Sequence, residues 1–95
     1  MLSGKQKRYL RSLAVNEKAM FQIGKEGLSE NLFEALKEAL KARELVKISI
    51  LKTCELSMNE ICIDLCANTG AELVQKIGRT VVLYKPSKEK KIVLP

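Results

Sequence analysis

A four-residue turn at residues 24–27, with the sequence Gly-Lys-Glu-Gly, restricts the fold of this chain more than any other feature. The turn follows a short apolar run at residues 19–23 and precedes a strongly helical segment that begins at Ser29. Glycine adopts backbone angles that other residues avoid, so two glycines three positions apart are typical of a tight connection. The pattern therefore predicts a strand, a tight turn and the N-terminus of a helix, in that order.

The turn also has the chemistry of a contact to a nucleic-acid backbone. Gly24 and Gly27 carry no Cβ, so a ligand can approach the main chain closely. The free N–H groups at the start of the following helix favour an anion such as phosphate, and Lys25 adds a cation beside Glu26. The alternative is a tight connection without a ligand, and the motif by itself leaves both interpretations open.

Hydrophobic periodicity and capping signals predict the other elements. The predicted helices cover residues 3–15, residues 30–42, and a segment that begins at residue 58 and ends before Gly70. The predicted strands cover residues 19–23, 45–50, 72–77 and 80–85, and Gly78-Arg79 predicts a two-residue hairpin connection between the last two. A tail at residues 86–95, basic and then apolar, is expected to dock at its apolar end.

The resulting order is α-β-α-β-α-β-β, which places the chain in the α/β class as one domain over residues 1–95. Two helical crossovers predict parallel pairing of the strands that they join, and the final hairpin adds an antiparallel pair. We therefore expect a four-stranded mixed sheet with helices packed against it.

The basic excess of this chain lies at its two ends. The formal net charge is +6, and residues 1–18 and residues 79–95 each carry five basic residues against one acid. The middle of the chain, residues 19–78, has a net charge of −2. This distribution fits a polyanionic partner better than an evenly basic surface would.

The first helix is amphipathic, and its solvent side is almost entirely basic. No acid precedes Glu17, so no acidic neighbour on the helix neutralises this side. A binding role is one interpretation, and an ordinary solvated face is the other. The predicted core side contains Leu2, Gln6, Tyr9, Leu10, Leu13 and Ala14, and the basic side contains Lys5, Lys7, Arg8 and Arg11.

The residues needed for common catalytic or metal chemistry are scarce. The chain has no histidine, so it has no Ser-His or Cys-His pair, and Asp64 is its one aspartate. A zinc site built on Cys54, Cys62 and Cys66 would need a fourth ligand, so we expect these cysteines to pack as small apolar residues. We therefore expect that the protein is not an enzyme and that it has no cofactor, no bound metal and no small-molecule substrate.

The hydropathy pattern predicts a cytoplasmic protein. No window approaches the roughly 20 apolar residues of a membrane span, and the basic N-terminus has no apolar stretch behind it, so we expect no secretory signal.

Tyr9, Phe21 and Phe33 fall on predicted core faces, and Tyr84 is expected to be half-buried. Recognition of a nucleic acid would then depend on backbone and shape, not on base stacking.

Three segments in order resemble the chloroplast RNA splicing and ribosome maturation (CRM) domain, in its bacterial single-domain form, the YhbY-like proteins. They are residues 23–29 (Ile-Gly-Lys-Glu-Gly-Leu-Ser), residues 43–47 (Arg-Glu-Leu-Val-Lys) and residues 70–78 leading into Val82-Leu83-Tyr84. The resemblance covers essentially the whole chain. It implies the same α-β-α-β-α-β-β order and a fold similar to the C-terminal domain of the third translation initiation factor.

The resemblance also implies a function, which is binding of structured RNA. The bacterial form is associated with precursors of the large ribosomal subunit, so the implied partner is their rRNA. We also expect the protein to be a monomer. Carried over to this sequence, the RNA-binding residues are Gly24, Lys25, Glu26 and Gly27 of the turn, with Lys5, Lys7, Arg8 and Arg11 of the first helix.

Two other functions stay open at this point. One is a protein-interaction module whose basic first helix docks an acidic protein partner. The other is a helix at residues 2–14 that lies on a membrane surface, although the core needs its apolar side. Neither alternative involves catalysis.

Overall fold

Within residues 2–95, which the computed structural model describes, three helices and four strands follow one another in the predicted order. Strands β2 and β3 and helix α3 have the predicted bounds, whereas β1 is two residues shorter at its start. The elements are α1 (Gly4–Ala14), β1 (Phe21–Ile23), α2 (Glu30–Arg43), β2 (Leu45–Ile50), α3 (Met58–Thr69), β3 (Glu72–Ile77) and β4 (Thr80–Tyr84).

Serine side chains begin the helices. Ser29 accepts a hydrogen bond from the N–H of Leu32, and Ser57 accepts one from Glu60, each at 3.1 Å. These side chains satisfy N–H groups that have no acceptor inside the helix. The starts of α2 and α3 are therefore determined locally.

The four strands form a mixed sheet in the order β1-β2-β4-β3, which confirms the predicted fold class. Strand β1 pairs with β2 in parallel, and β4 pairs in antiparallel fashion with both β2 and β3. The expectation that the second crossover joins a parallel pair is wrong, because β4 lies between β2 and β3. Residues Val81 to Tyr84 are all buried, so β4 needs a neighbour on each side and cover on both faces.

Helices cover both faces of the sheet. Leu36 and Leu40 of α2 and Ile61 and Leu65 of α3 pack against one face, where β2 presents Val46, Ile48 and Ile50. Leu10 and Ala14 of α1 pack against the other face, together with Leu45, Val82 and Tyr84. Val46, Ile48 and Ile50 belong to the first cluster and Leu45 to the second, as the two-residue period of a strand requires.

The C-terminal tail docks on the α1 side, as its apolar end predicts. Ile92 and Leu94 pack against the cluster that contains Leu10, and the side chain of Gln6 donates to the carbonyl of Pro95 at 3.3 Å. Glu44, which is fully buried, holds the tail by accepting from the N–H groups of Ser87 and Ile92, each at 2.7 Å.

The strand directions give the sheet two unlike ends. The loop end is where β1 and β2 finish and β4 begins, and it contains residues 24–27, 51–53 and 78–79. The tail end is where β2 begins and β4 finishes, and it contains Glu44 and residues 85–92. The predicted turn therefore lies at the opposite end of the sheet from the docked tail.

No helix within residues 2–95 is long and apolar enough to cross a membrane. The longest helix described, α2, has 14 residues and carries several charges. It presents Leu36 and Leu40 to the sheet. Its apolar side is therefore accounted for by packing inside the domain.

Candidate nucleic-acid interface

The turn at residues 24–27 is closed by its own backbone. The N–H of Gly27 donates to the carbonyl of Gly24 at 2.9 Å, and Gly27 has a φ of 67°, where a side chain is strained. A Cβ on Gly24 would lie 3.2 Å from Leu51 Cδ1 and 3.2 Å from Thr53 Oγ1. A side chain at either glycine would therefore cost strain or a small shift of its neighbours, and any ligand contact depends on the groups that the turn exposes.

Those exposed groups include one cation and two main-chain donors. Lys25 makes no ion pair and no hydrogen bond with residues 2–95. Within the same part of the chain, the N–H groups of Glu30 and Asn31 in the first turn of α2 have no acceptor. The helix dipole favours an anion here, although the carboxylates of Glu26 and Glu30 oppose it. A phosphate has donors available on one side of the turn.

Two further cations at the loop end were missed by the sequence analysis. Arg79 donates from Nε to the carbonyl of Ile50 at 2.9 Å and from Nη2 to that of Leu51 at 2.7 Å. Leu51 in turn donates its N–H to the carbonyl of Ile23 at 2.8 Å, so Arg79 holds this segment beside the turn. Lys52 is exposed, and within the described residues its side chain has no partner.

The positions of these cations depend on the sheet. Arg79 was interpreted as a hairpin residue, and Lys52 belongs to the connection between β2 and α3. The parallel pairing of β1 with β2 brings Lys52 to the end of β1, and the antiparallel register of β2 and β4 brings Arg79 there. Lys52 and Arg79 can be placed beside the turn only when the order of the strands is known.

The basic face of α1 is largely open. Lys5, Arg8 and Arg11 are exposed and Lys7 is half-buried, and the described residues contain no acid paired with any of them. Arg11 is partly committed to the fold, because its Nε donates to the carbonyl of Val74 at 3.4 Å. That carbonyl lies at a bulge in β3, where the ladder is interrupted.

The C-terminal end of α1 is held by a lysine from the sheet. Lys47 donates from Nζ to the carbonyls of Ala14 and Glu17, each at 3.3 Å. Carbonyls at a helix C-terminus lack partners inside the helix and attract cations. Lys47 therefore orients α1 on the sheet, and its charge is not available to a ligand.

An uncovered strip of the sheet lies between α1 and the turn. Gln22, Ser49 and Thr80 are neighbours across β1, β2 and β4 on the face that carries α1. Gln22 is exposed and the other two are half-buried, because α1 crosses nearer the tail end, over Leu45 and Val82. The basic helix borders one side of this strip, and the turn lies at its loop end.

A protein-family model matches most of the chain. Residues 2–85 match the CRS1 / YhbY (CRM) domain family. The chain belongs to this family.

Relatives of this CRM domain span its full length. The chain is 50% identical over 96 residues to the Probable RNA-binding protein YqeI of Bacillus subtilis, with all of both chains covered. It is 38% identical to an RNA-binding protein of Haemophilus influenzae, covering 99% of this chain and 95% of that protein. The solution structure of the hypothetical protein SAV1595 from Staphylococcus aureus superposes with a TM-score of 0.83 at 48% identity and covers all of both chains.

The aromatic residues of the CRM domain correct two predictions. Tyr9, predicted on the core side of α1, is 39% exposed, because Leu10 and Ala14 fill the narrow contact with the sheet. Tyr84 is more buried than predicted, at 4% exposure, and Phe21 packs against the core. Tyr9 is therefore the one aromatic residue classed as exposed within residues 2–95.

The cysteines of the CRM domain pack as predicted. Cys54 and Cys62 are buried, and Cys66 is half-buried against the same core. Burial raises the pKa of the Cys62 and Cys66 thiols above their usual value. Both thiols are therefore weaker acids than an exposed cysteine, in keeping with their packing against the core.

Proposed function

We propose that this CRM-domain protein binds structured RNA through the phosphate backbone. The observation that carries the proposal is that the cations of α1 and Lys25 of the turn have no acidic partner within residues 2–95. Relatives named as RNA-binding proteins support the same conclusion. The proposed contacts are Lys25 with the backbone of Gly24, Glu26 and Gly27, and Lys5, Lys7, Arg8 and Arg11 of α1.

Contacts of this kind position an RNA by its phosphates and carry little sequence information. Lys25 and the free N–H groups of α2 would hold one phosphate at the loop end. Lys5 and Arg8 would contact others along α1. Lys52 and Arg79 add positive charge beside the turn, and Arg79 also keeps the turn in place.

The biological role that we propose is assembly of the large ribosomal subunit in the cytoplasm, with precursor rRNA as the partner of a monomeric protein. The support for this role is the resemblance of the three CRM segments to the bacterial form of the family. Sedimentation tests the role separately from binding. The protein should migrate with large-subunit precursors, and its presence in free fractions alone would contradict the role.

The binding surface is tested by two triple variants that remove the same charge. The first replaces Lys5, Arg8 and Lys25 with alanine. The second, as the control, replaces Lys37, Lys41 and Lys88, which lie on α2 and the tail. The first should lower the affinity for structured rRNA and reduce the slope of log affinity against log salt by about 2 to 3.

The control variant should keep most of the slope, because its lysines lie away from the open strip. Equal losses in the two variants would show that net charge, and not this surface, drives binding. A pulldown repeated after nuclease treatment addresses the acidic protein partner. Partners that survive the nuclease would favour the protein-interaction function over RNA binding.

A further inference from the structure

Tyr9 lies at the edge of the basic face of α1, between Lys5 and the side that packs on the sheet. The residue is 39% exposed, and its phenol hydroxyl makes no hydrogen bond within residues 2–95. Lys5 lies one helical turn before it, Arg8 is adjacent, and Ser12 lies one turn after it. Residues three and four apart share a helix face, so the ring lies beside Lys5, whereas Arg8 points about 100° away around the helix.

An aromatic ring beside phosphate-binding cations is suited to contact a base. Every base has a flat π-face, so stacking on tyrosine does not depend strongly on base identity. Paired bases in an RNA duplex hide their faces in the stack, whereas bases in loops, bulges and ends can turn outward. A phosphate held by Lys5 would bring the attached nucleotide within reach of the ring.

We infer that Tyr9 stacks on an unpaired base, so that the RNA bound by this surface carries an unpaired nucleotide beside its phosphate contacts. This inference rests on the proposed function and names the class of RNA that the site takes. It gives a base contact to a surface that otherwise reads only the backbone.

The other aromatic residues cannot supply this contact. Phe21 and Phe33 are partly buried and pack against the core between the sheet and α2. Tyr84 is 4% exposed and lies beneath α1 and the tail. The chain has no tryptophan and two tyrosines, so Tyr9 is also the accessible tyrosine fluorophore.

Two RNAs and three variants test the inference by affinity. One RNA is a hairpin with a bulged nucleotide, and the other is a blunt duplex of matched length and composition. Tyr9→Ala should weaken binding to the bulged RNA about tenfold and leave binding to the duplex unchanged. Tyr9→Phe should keep the affinity, because the ring remains. The matched control is Ile63→Ala, which truncates an apolar residue of α3 that is 67% exposed and should change neither affinity.

Two further readouts separate stacking from a structural or electrostatic role. The salt slope should be the same for wild type and Tyr9→Ala, because no charge is removed. Tyrosine emission should fall when the wild type binds the bulged RNA. In Tyr9→Phe, whose remaining tyrosine is Tyr84, the emission should stay constant.

The possible outcomes distinguish this inference from the proposed function. If the wild type binds neither RNA, the proposed function fails. If the wild type binds both RNAs and Tyr9→Ala binds the bulged RNA equally well, the stacking contact is wrong and backbone binding stands. An emission change that persists in Tyr9→Phe would also overturn the inference.

Discussion

The charged residues at the two ends of the sheet differ in burial and in hydrogen bonding. At the tail end, Glu44 is fully buried, and donors from the docked tail surround its carboxylate. At the loop end, Lys25 and Lys52 are exposed, and within residues 2–95 neither has a partner. The difference indicates that the tail end stabilises the fold, whereas the loop end keeps its cations available for a ligand.

The pKa of Glu44 shows how strongly these hydrogen bonds stabilise its carboxylate. Burial by itself would raise the pKa of its carboxyl, but hydrogen bonds from the Ser87 hydroxyl and the N–H groups of Ser87, Ile92 and Lys91 outweigh it. The pKa is lowered from 4.5 to about 2. Glu44 also has a φ of 66°, which costs strain in any residue with a side chain. The hydrogen bonds from the tail offset that strain.

The largest effect is expected from Glu44→Gln. The amide has about the same size, but it loses the charge and turns N–H groups toward the donors of the tail. We expect the free energy of unfolding to fall by about 2–4 kcal/mol. Urea denaturation measures the free energy of unfolding. The RNA affinity, corrected for the fraction of protein that is folded, should not change. An unaltered denaturation midpoint would remove the contrast between the two ends.

Acid should lower the free energy of unfolding by a comparable amount, through Glu44 at the tail end. Because the pKa of Glu44 is lower in the folded protein, its contribution is fully present above pH 4.5 and is lost as the pH falls toward about 2. The loss amounts to at most about 3 kcal/mol. Urea midpoints across this range measure it, with Glu44→Gln as the control. If the urea midpoint of Glu44→Gln falls with pH as much as that of the wild type, carboxyls other than Glu44 cause the acid sensitivity.

A smaller loss is expected at the loop end from Gly27→Ala. Gly27 has a φ of 67°, so a Cβ adds about 1–2 kcal/mol of strain. Gly4→Ala is the matched control, since Gly4 begins α1 and a Cβ there would meet nothing within 4 Å. Thermal unfolding should show a lower midpoint for Gly27→Ala alone. Equal midpoints would mean that the turn tolerates a side chain.

The smallest change in stability is expected from Lys25→Ala. Its side chain has no partner in the described part of the chain, so the free energy of unfolding should stay within about 0.5 kcal/mol. RNA binding should respond instead, with a salt slope lower by about 0.7 to 0.9. A destabilised variant would place Lys25 with the structural residues, and an unchanged slope would remove it from the interface.

Much of the fold follows from local patterns in the sequence. The alternation Leu45 to Ile50 defines a strand with two faces, and Ser29 and Ser57 cap their helices as predicted. The turn after Ile23 also forms where its glycines indicate. These features depend on neighbouring residues, so the printed sequence contains the information they need.

The candidate interface was predictable only in part. Lys5, Arg8 and Lys25 are exposed as expected, because charged residues on a predicted solvent face stay there. Tyr9 was placed wrongly, because helical periodicity gives a direction but not the width of the contact with the sheet. Arg79 was missed as a residue beside the turn, because its position depends on the pairing of β4 with β2.

The sequence by itself determined the order of the elements, the tight turn at residues 24–27 and the concentration of basic residues at the two ends. These follow from periodicity, backbone preference and charge, which act over a few neighbouring residues. The tertiary structure alone decided that β4 enters between β2 and β3, that Glu44 is buried under the tail and that Tyr9 is exposed. Those outcomes come from distant segments that compete for the same surface, and only the complete packing of the chain determines which of them occupies it.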